Sequence, residues 1–106
     1  MIRIEIGKFS LMAQGHGGTA PKGQDLLCAG VSTLLVSLAK TLQDMEKAGL
    51  CQDLSVCLES GYGALSCRPA VGAEGGLTWA FQTVYNGLML LQQLYPKHIC
   101  LQVESS

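Results

Sequence analysis

The segment from Asp25 to Gly49, DLLCAGVSTLLVSLAKTLQDMEKAG, decides how the rest of the chain is arranged. Its apolar residues recur at steps of three and four, which predicts a long amphipathic helix with one apolar stripe. The stripe consists of Leu27, Val31, Leu34, Leu35, Leu38, Leu42 and Met45. Asp25 is a favourable N-cap, because its carboxylate can accept from backbone N–H groups two or three residues on. Gly49 ends the helix, and Lys47 suits the negative end of its dipole.

Segments with strand-like patterns flank this helix on both sides. Upstream, apolar residues alternate with polar ones through residues 1–14, which predicts a hairpin that turns at Gly7 and Lys8. Its second strand carries Phe9, Leu11 and Ala13 on one face. Downstream, the patterns predict in order a strand over 54–58, a turn over 59–63, a strand over 64–69, a loop over 72–76, a helix over 77–95 and a strand over 98–103.

The resulting order, ββαββαβ, predicts an α+β fold. Two amphipathic helices and five strands are typical of a two-layer sandwich, in which both helices pack on one face of a mostly antiparallel sheet. A chain of 106 residues fits one compact domain over 1–106, and no linker or low-complexity stretch divides it.

Composition excludes several classes of protein. Hydrophobic residues make up 48% of the chain and charged residues 14%, the opposite of the balance that disorder needs. The net charge is −1 and the seven Lys and Arg residues are scattered, so no basic face for direct nucleic-acid binding is expected. No uninterrupted apolar run approaches the roughly 18 residues of a membrane span, and the N-terminus does not resemble a signal peptide. We therefore expect a cytoplasmic protein.

The glycine-rich stretch before the long helix leads directly to a cysteine. Residues 15–24 contain four glycines and a proline, which predicts a loop. If Asp25 is the N-cap, Cys28 lies in the first helical turn, where N–H groups lack intrahelical acceptors and the dipole is positive. This setting favours the thiolate by lowering the cysteine pKa. The same N–H groups can also stabilise an oxyanion, as acyl transfer requires.

His16 lies twelve residues before Cys28, at the exit of a predicted strand. A histidine within hydrogen-bond reach of a thiol can take its proton and later protonate a leaving amine. Asp25 is a candidate orienting group for His16, although its ordinary role is the helix cap. Ser32 lies one turn after Cys28 on the same face, where a serine usually donates to the backbone four residues back. Spacing alone also allows a packing cysteine and a solvated histidine.

Three short motifs in this stretch resemble the signature of a known family. They are Gly15-His16, Gly23-Gln24-Asp25 and Cys28-Ala29-Gly30-Val31-Ser32. Together they are similar to the ribosomal-processing cysteine protease family, Prp, and the likeness extends over nearly the whole chain.

The resemblance implies a small α/β fold, a homodimer, and cleavage of a short N-terminal extension from a large-subunit ribosomal protein after an aromatic residue. It also implies that Cys28 is the nucleophile and His16 the base. Asp25 and Ser32 are the candidate supporting residues. The loop over 17–24 would then order over the substrate. Four glycines are assigned to this substrate loop and to the residue where it begins: Gly15, Gly17, Gly18 and Gly23.

Two other interpretations of the same residues stay open. The first is a non-catalytic ribosome assembly factor that holds an extended peptide in the loop groove. The second is a dyad of His98 and Cys100, which share a strand face by the two-residue period.

The cysteines predict neither a metal site nor a cofactor site. There are five, no C-x-x-C pair occurs, and their spacings match no zinc pattern. Most of the cysteines are expected to be small buried hydrophobes, and Cys28 is considered separately.

The second helix gives the only internal sign of a partner subunit. It carries apolar residues on more than one side, including Trp79, Phe81 and Leu90. A helix that is apolar nearly all round must bury more than one face. A second copy of the chain would cover the excess, and deep burial within one chain is the alternative.

Overall fold

Seven elements follow one another in the order ββαββαβ in the computed structural model, which describes residues 1–15 and 26–104. They are β1 Ile2–Gly7, β2 Ser10–Gly15, α1 Leu26–Lys47, β3 Cys51–Glu59, β4 Tyr62–Pro69, α2 Glu74–Leu94 and β5 Ile99–Val103. The predicted α+β class and element order are confirmed.

The five strands form one sheet in the order β3-β4-β2-β1-β5. All neighbours pair antiparallel except β1 and β5, which pair parallel, with Ile2 opposite Ile99. Alternate residues of β1 (Ile2, Ile4 and Ile6) are buried, because the two-residue period turns them to the face that both helices cover. This arrangement is the predicted two-layer sandwich.

The two helices pack closely against each other over the sheet. A Cβ atom added to Gly87 of α2 would lie 2.8 Å from Cδ2 of Leu34 in α1, closer than carbon atoms normally approach. The apolar stripe of α1 faces the sheet, and Leu27, Leu38 and Leu42 are almost fully buried. By length and composition alone α1 would also pass for a membrane span, a test that the core helix of a soluble protein passes equally well.

The β1–β2 hairpin differs from the prediction at Phe9. Gly7 pairs with Ser10, so Lys8 and Phe9 form a two-residue turn and Phe9 is not part of β2. Phe9 adopts a left-handed φ of 62°, and its ring packs edge-on against Phe81 with centroids 6.2 Å apart. The Phe9 ring thus contacts the core from the turn. An apolar residue is therefore needed at this position, and in the sequence it looks like one more residue of the alternating strand.

β3 is longer than predicted because it contains a bulge. The register with β4 shifts between Gln52 and Ser55, and Asp53 within the bulge has a left-handed φ of 55°. An ion pair to Arg68 on β4 holds its side chain. The extra residue shifts the alternation by one, so that Cys51 faces the core before the bulge and Leu54 and Val56 face it after the bulge. Cys51 is therefore buried although the alternation in sequence begins only at Leu54.

The ends of the helices follow different local rules. After α1, Leu50 N–H donates to Met45 O over 2.8 Å and Gly49 N–H to Glu46 O over 3.0 Å, with Gly49 at a φ of 76°. These bonds form a Schellman motif, so Gly49 closes the helix as predicted. α2 instead begins at Glu74, inside the predicted loop over 72–76, with a carboxylate at the positive end of the dipole.

Candidate active site

Cys28 is the third residue of α1 and lies in its first turn. Its side chain is half-buried and packs against the edge of the hydrophobic core. First-turn N–H groups have no acceptor within the helix, and the dipole adds partial positive charge there. A thiolate and, later, an oxyanion are the species that such a helix end stabilises.

Cys28 opens into a cleft of about 320 Å³. One wall is the face of α1 that carries Cys28, Ser32 and Val36, and the opposite wall is the end of the β3–β4 hairpin, residues 58–63. The ends of β1 and β2 contribute the floor between them. A thiol at the side of an open cleft is accessible to an extended peptide.

The end of β2 is held firmly at one side of this cleft. Gly15 N–H donates to Gly61 O over 2.8 Å, which ties β2 to the turn between β3 and β4. Gly15 has a φ of 109°, and an added Cβ would lie 2.2 Å from the backbone oxygen of Met1. Only glycine fits this position. Gly15, which sequence analysis assigned to the substrate loop, is therefore a rigid anchor at the cleft.

Ser32 lies where the sequence predicted, one turn after Cys28 and on the wall of the cleft. The hydroxyl that donates to the backbone four residues back in this part of α1 belongs to Thr33, which bonds Ala29 O over 2.8 Å. Ser32 is exposed beside the thiol, where its hydroxyl can contact a bound peptide.

The remaining predicted site residues lie outside the described residues. They are His16, Gly17, Gly18, Gly23 and Asp25. The roles of His16 as base and Asp25 as cap or orienting group stay predictions.

The other four cysteines lie elsewhere in the fold, and none of the five is in a disulfide. Cys51 and Cys67 are buried side by side, and burial, with the adjacent Cys51 as the second cause, raises the pKa of the Cys67 thiol to about 12. Cys100 is half-buried, and Cys57 is exposed on β3. Cys57 is the exposed exception among these four, because the two-residue period turns it away from the helices.

His98 and Cys100, the alternative dyad, do not line the cleft. His98 precedes β5, where its N–H bonds Tyr95 O and its C=O accepts from Ile2. Within residues 1–15 and 26–104, no group of three His, Cys, Asp or Glu side chains is placed to hold a metal ion.

The wall of the cleft opposite Cys28 was not predicted from the sequence. Leu58, Glu59 and Tyr62 line it, but in sequence they indicated only a strand end and a turn. Their relation to Cys28 arises from the pairing of β2 with β4, which no local pattern encodes.

A thiol in a helical first turn, beside a peptide-sized cleft, defines a candidate cysteine hydrolase. The family comparison agrees, since the family described as cysteine protease Prp matches residues 1–100. The chain belongs to the Prp cysteine protease family, and it is a cysteine protease. No curated protein sequence gives a significant match.

Solved structures share this fold at low sequence identity. The ribosomal processing protease Prp of Staphylococcus aureus with a covalently linked product peptide has a TM-score of 0.78 and 19% identity, covering 98% of this chain and 100% of that one. The same S. aureus protease with a substrate peptide has a TM-score of 0.73 and 17% identity at the same coverage. A Streptococcus mutans protein has a TM-score of 0.69 and 20% identity, covering 99% and 93%.

Proposed function

We propose that this chain is a cytoplasmic endopeptidase that removes the short N-terminal extension of a large-subunit ribosomal protein. The observation that carries the proposal is the position of Cys28, in the first turn of α1 and on the wall of the cleft. Membership of the Prp family supports it, as does the peptide bound to the similar S. aureus ribosomal processing protease.

The proposed reaction has two steps. The Cys28 thiolate attacks the scissile carbonyl carbon, and the C–N bond breaks as His16, carrying the thiol proton, protonates the leaving amine. This step leaves the N-terminal fragment on Cys28 as a thioester. His16 then takes a proton from water, whose oxygen attacks the thioester and releases a carboxylic acid and the thiolate. First-turn N–H groups of α1 stabilise the oxyanion in both steps.

A homodimer is part of the same proposal. Trp79, Leu90 and Leu94 are exposed on α2, and Glu74 is the only charged residue of that helix. This uncharged outer face supports burial against a second copy. Sedimentation at micromolar concentration tests it, since a monomer of 11.2 kDa would contradict the dimer.

Peptide cleavage tests the proposed reaction directly. Overlapping peptides tiled across the N-termini of large-subunit ribosomal proteins are incubated with the protein, and the cut site is read by mass spectrometry. Cys28→Ala should lower kcat/KM at least about a thousandfold, because removal of a nucleophile eliminates the covalent route. The matched control is Cys57→Ala, which removes an exposed thiol that does not line the cleft and should cleave normally.

Thiol labelling separates the protease from the non-catalytic assembly factor. Iodoacetamide at about pH 6 should modify Cys28 first if the helix end favours its thiolate. Undiminished cleavage by Cys28→Ala would refute the proposed mechanism. Peptide binding without cleavage, together with slow and equal labelling of all five cysteines, would favour the assembly factor.

A further inference from the structure

The cleft continues along α1 well beyond the reactive thiol. Cys28, Ser32 and Val36 follow at four-residue steps on the face of α1 that lines it. Val36 therefore lies about two turns, or roughly 12 Å, from Cys28 along the helix axis. A bound peptide that passes Cys28 in this direction must also pass Val36.

Two exposed apolar side chains line this part of the cleft from different elements. They are Val36 from α1 and Leu58 from β3, exposed by 55% and 42%. Because water contact with apolar surface is unfavourable, apolar side chains that two elements expose in one cleft are typical of a binding surface. This surface lines the same cleft as the thiol, so the peptide that reaches Cys28 is the occupant that fits.

The charge of the cleft matches an apolar occupant. Among the described residues that line it, Glu59 alone is charged. Behind the two exposed side chains, Leu35 is 5% exposed and packs over Gly63, which gives this part of the cleft an apolar floor. An uncharged side chain can enter here without leaving a buried charge unpaired.

We propose that Val36 and Leu58 form a specificity subsite for an apolar side chain three or four residues from the scissile bond. The spacing follows because an extended peptide rises about 3.3 Å per residue, so roughly 12 Å of cleft spans three to four residues. The proposal rests on the function proposed above, since Cys28 marks the position of the scissile bond. Val36 and Leu58 select the substrate and take no part in bond breaking.

Matched surface variants test the subsite. Val36→Ser and Leu58→Ser remove its apolar surface, and Val103→Ser and Val71→Ser are controls. Val103 is 76% exposed and Val71 is fully exposed, and both lie outside the cleft. All four changes alter exposed side chains, so thermal melting should show each variant folded.

The readout is an alanine scan of a cleaved peptide. For the parent enzyme, alanine in place of one apolar residue at the third or fourth position from the cut should lower kcat/KM about tenfold, as expected for loss of contact in a hydrophobic pocket. In Val36→Ser and Leu58→Ser this loss should shrink to about twofold or less, because the subsite no longer distinguishes the two peptides. The control variants should retain the full tenfold loss.

Several outcomes would overturn the subsite. An unchanged alanine scan in both cleft variants refutes it while the protease function stands. A shift from dimer to monomer in these variants alone, measured by sedimentation, would instead assign this surface to a second copy of the chain.

A binding measurement separates this proposal from the proposed function. Fluorescence anisotropy of the labelled peptide is recorded with Cys28→Ala, alone and combined with Leu58→Ser or Val71→Ser. If Cys28→Ala still cleaves, the proposed function fails, and selective loss of affinity with Leu58→Ser still supports an apolar peptide subsite. Equal affinity in all three proteins refutes the subsite whatever the cleavage result.

Discussion

Replacing Gly63 with alanine should push a leucine into the cleft. An added Cβ would lie 2.6 Å from Cδ2 of Leu35 and 3.3 Å from Cδ2 of Leu58, whereas carbon atoms in contact lie about 3.5–4.0 Å apart. Leu35 must therefore withdraw by about 1 Å. Gly63 has no positive φ, so the cost of the substitution is overpacking rather than backbone strain.

The size of that cost follows from the surroundings. Overpacking a core by one methyl typically costs about 1–3 kcal/mol. The nearest obstacle at Gly63 is the end of a leucine side chain that lines an open cleft, so it can move. We expect Gly63→Ala to lower the free energy of unfolding by about 1 kcal/mol, and to weaken binding of an apolar peptide because Leu35 occupies part of the cleft.

A double-mutant cycle in urea denaturation measures this contact. Leu35→Val shortens the obstructing side chain and should cost about 1 kcal/mol alone. The double variant Leu35→Val/Gly63→Ala should lose about 1 kcal/mol less free energy of unfolding than the sum of the two single losses, because the shorter valine side chain leaves room for the new methyl. Gly87→Ala is the control, since its Cβ would meet Leu34 between the helices. Additive losses in the Gly63→Ala cycle, or equal coupling in the Gly87→Ala cycle, would refute the reasoning.

Two further predictions concern glycine positions and alkaline pH. Gly75→Ala should raise the free energy of unfolding by about 0.5–1 kcal/mol, because helix propensity improves and nothing lies within 4 Å of the new Cβ. Gly49→Ala should lower the free energy of unfolding by about 1 kcal/mol, because Gly49 has a left-handed φ of 76°. Shifts of the same sign in the two variants would contradict this prediction. Burial raises the pKa of Cys67 from 9.0 to about 12, so the unfolded chain loses a proton that the folded state keeps, and the free energy of unfolding should fall as pH rises from 9 toward 12. Cys67→Ala should reduce that fall in pH-dependent denaturation and Cys57→Ala should not; identical slopes would count against burial as the cause.

The fold was predictable where one periodic pattern ran without interruption. The stripe of α1 and the alternation of β1 each had a single period, and both elements formed as predicted. Prediction failed where a local exception shifted the period. The bulge at Asp53 moved the inward face of β3 by one residue, and the left-handed turn at Phe9 placed an apolar ring on the core from outside the strand.

The site was predictable only for residues adjacent in sequence. Cys28 and Ser32 lie on one helix, so their separation of one turn follows from helical geometry alone. Leu58 and Tyr62 line the same cleft as Cys28 because β4 pairs with β2, and that pairing depends on the core of the whole sheet. A turn pattern cannot indicate which distant residue it will face, and so the cleft wall had no signal in the sequence.

The parallel pairing of β1 with β5 makes the cleft depend on both ends of the described chain. Ile2 lines the cleft, and its N–H donates to His98 O over 2.8 Å, so the first strand is held in place by the last. Contacts between residues so distant in sequence close large loops and slow folding. During synthesis, β1 has no partner on that side until β5 has left the ribosome. Proteolytic activity should therefore emerge late in folding, together with the closing strand.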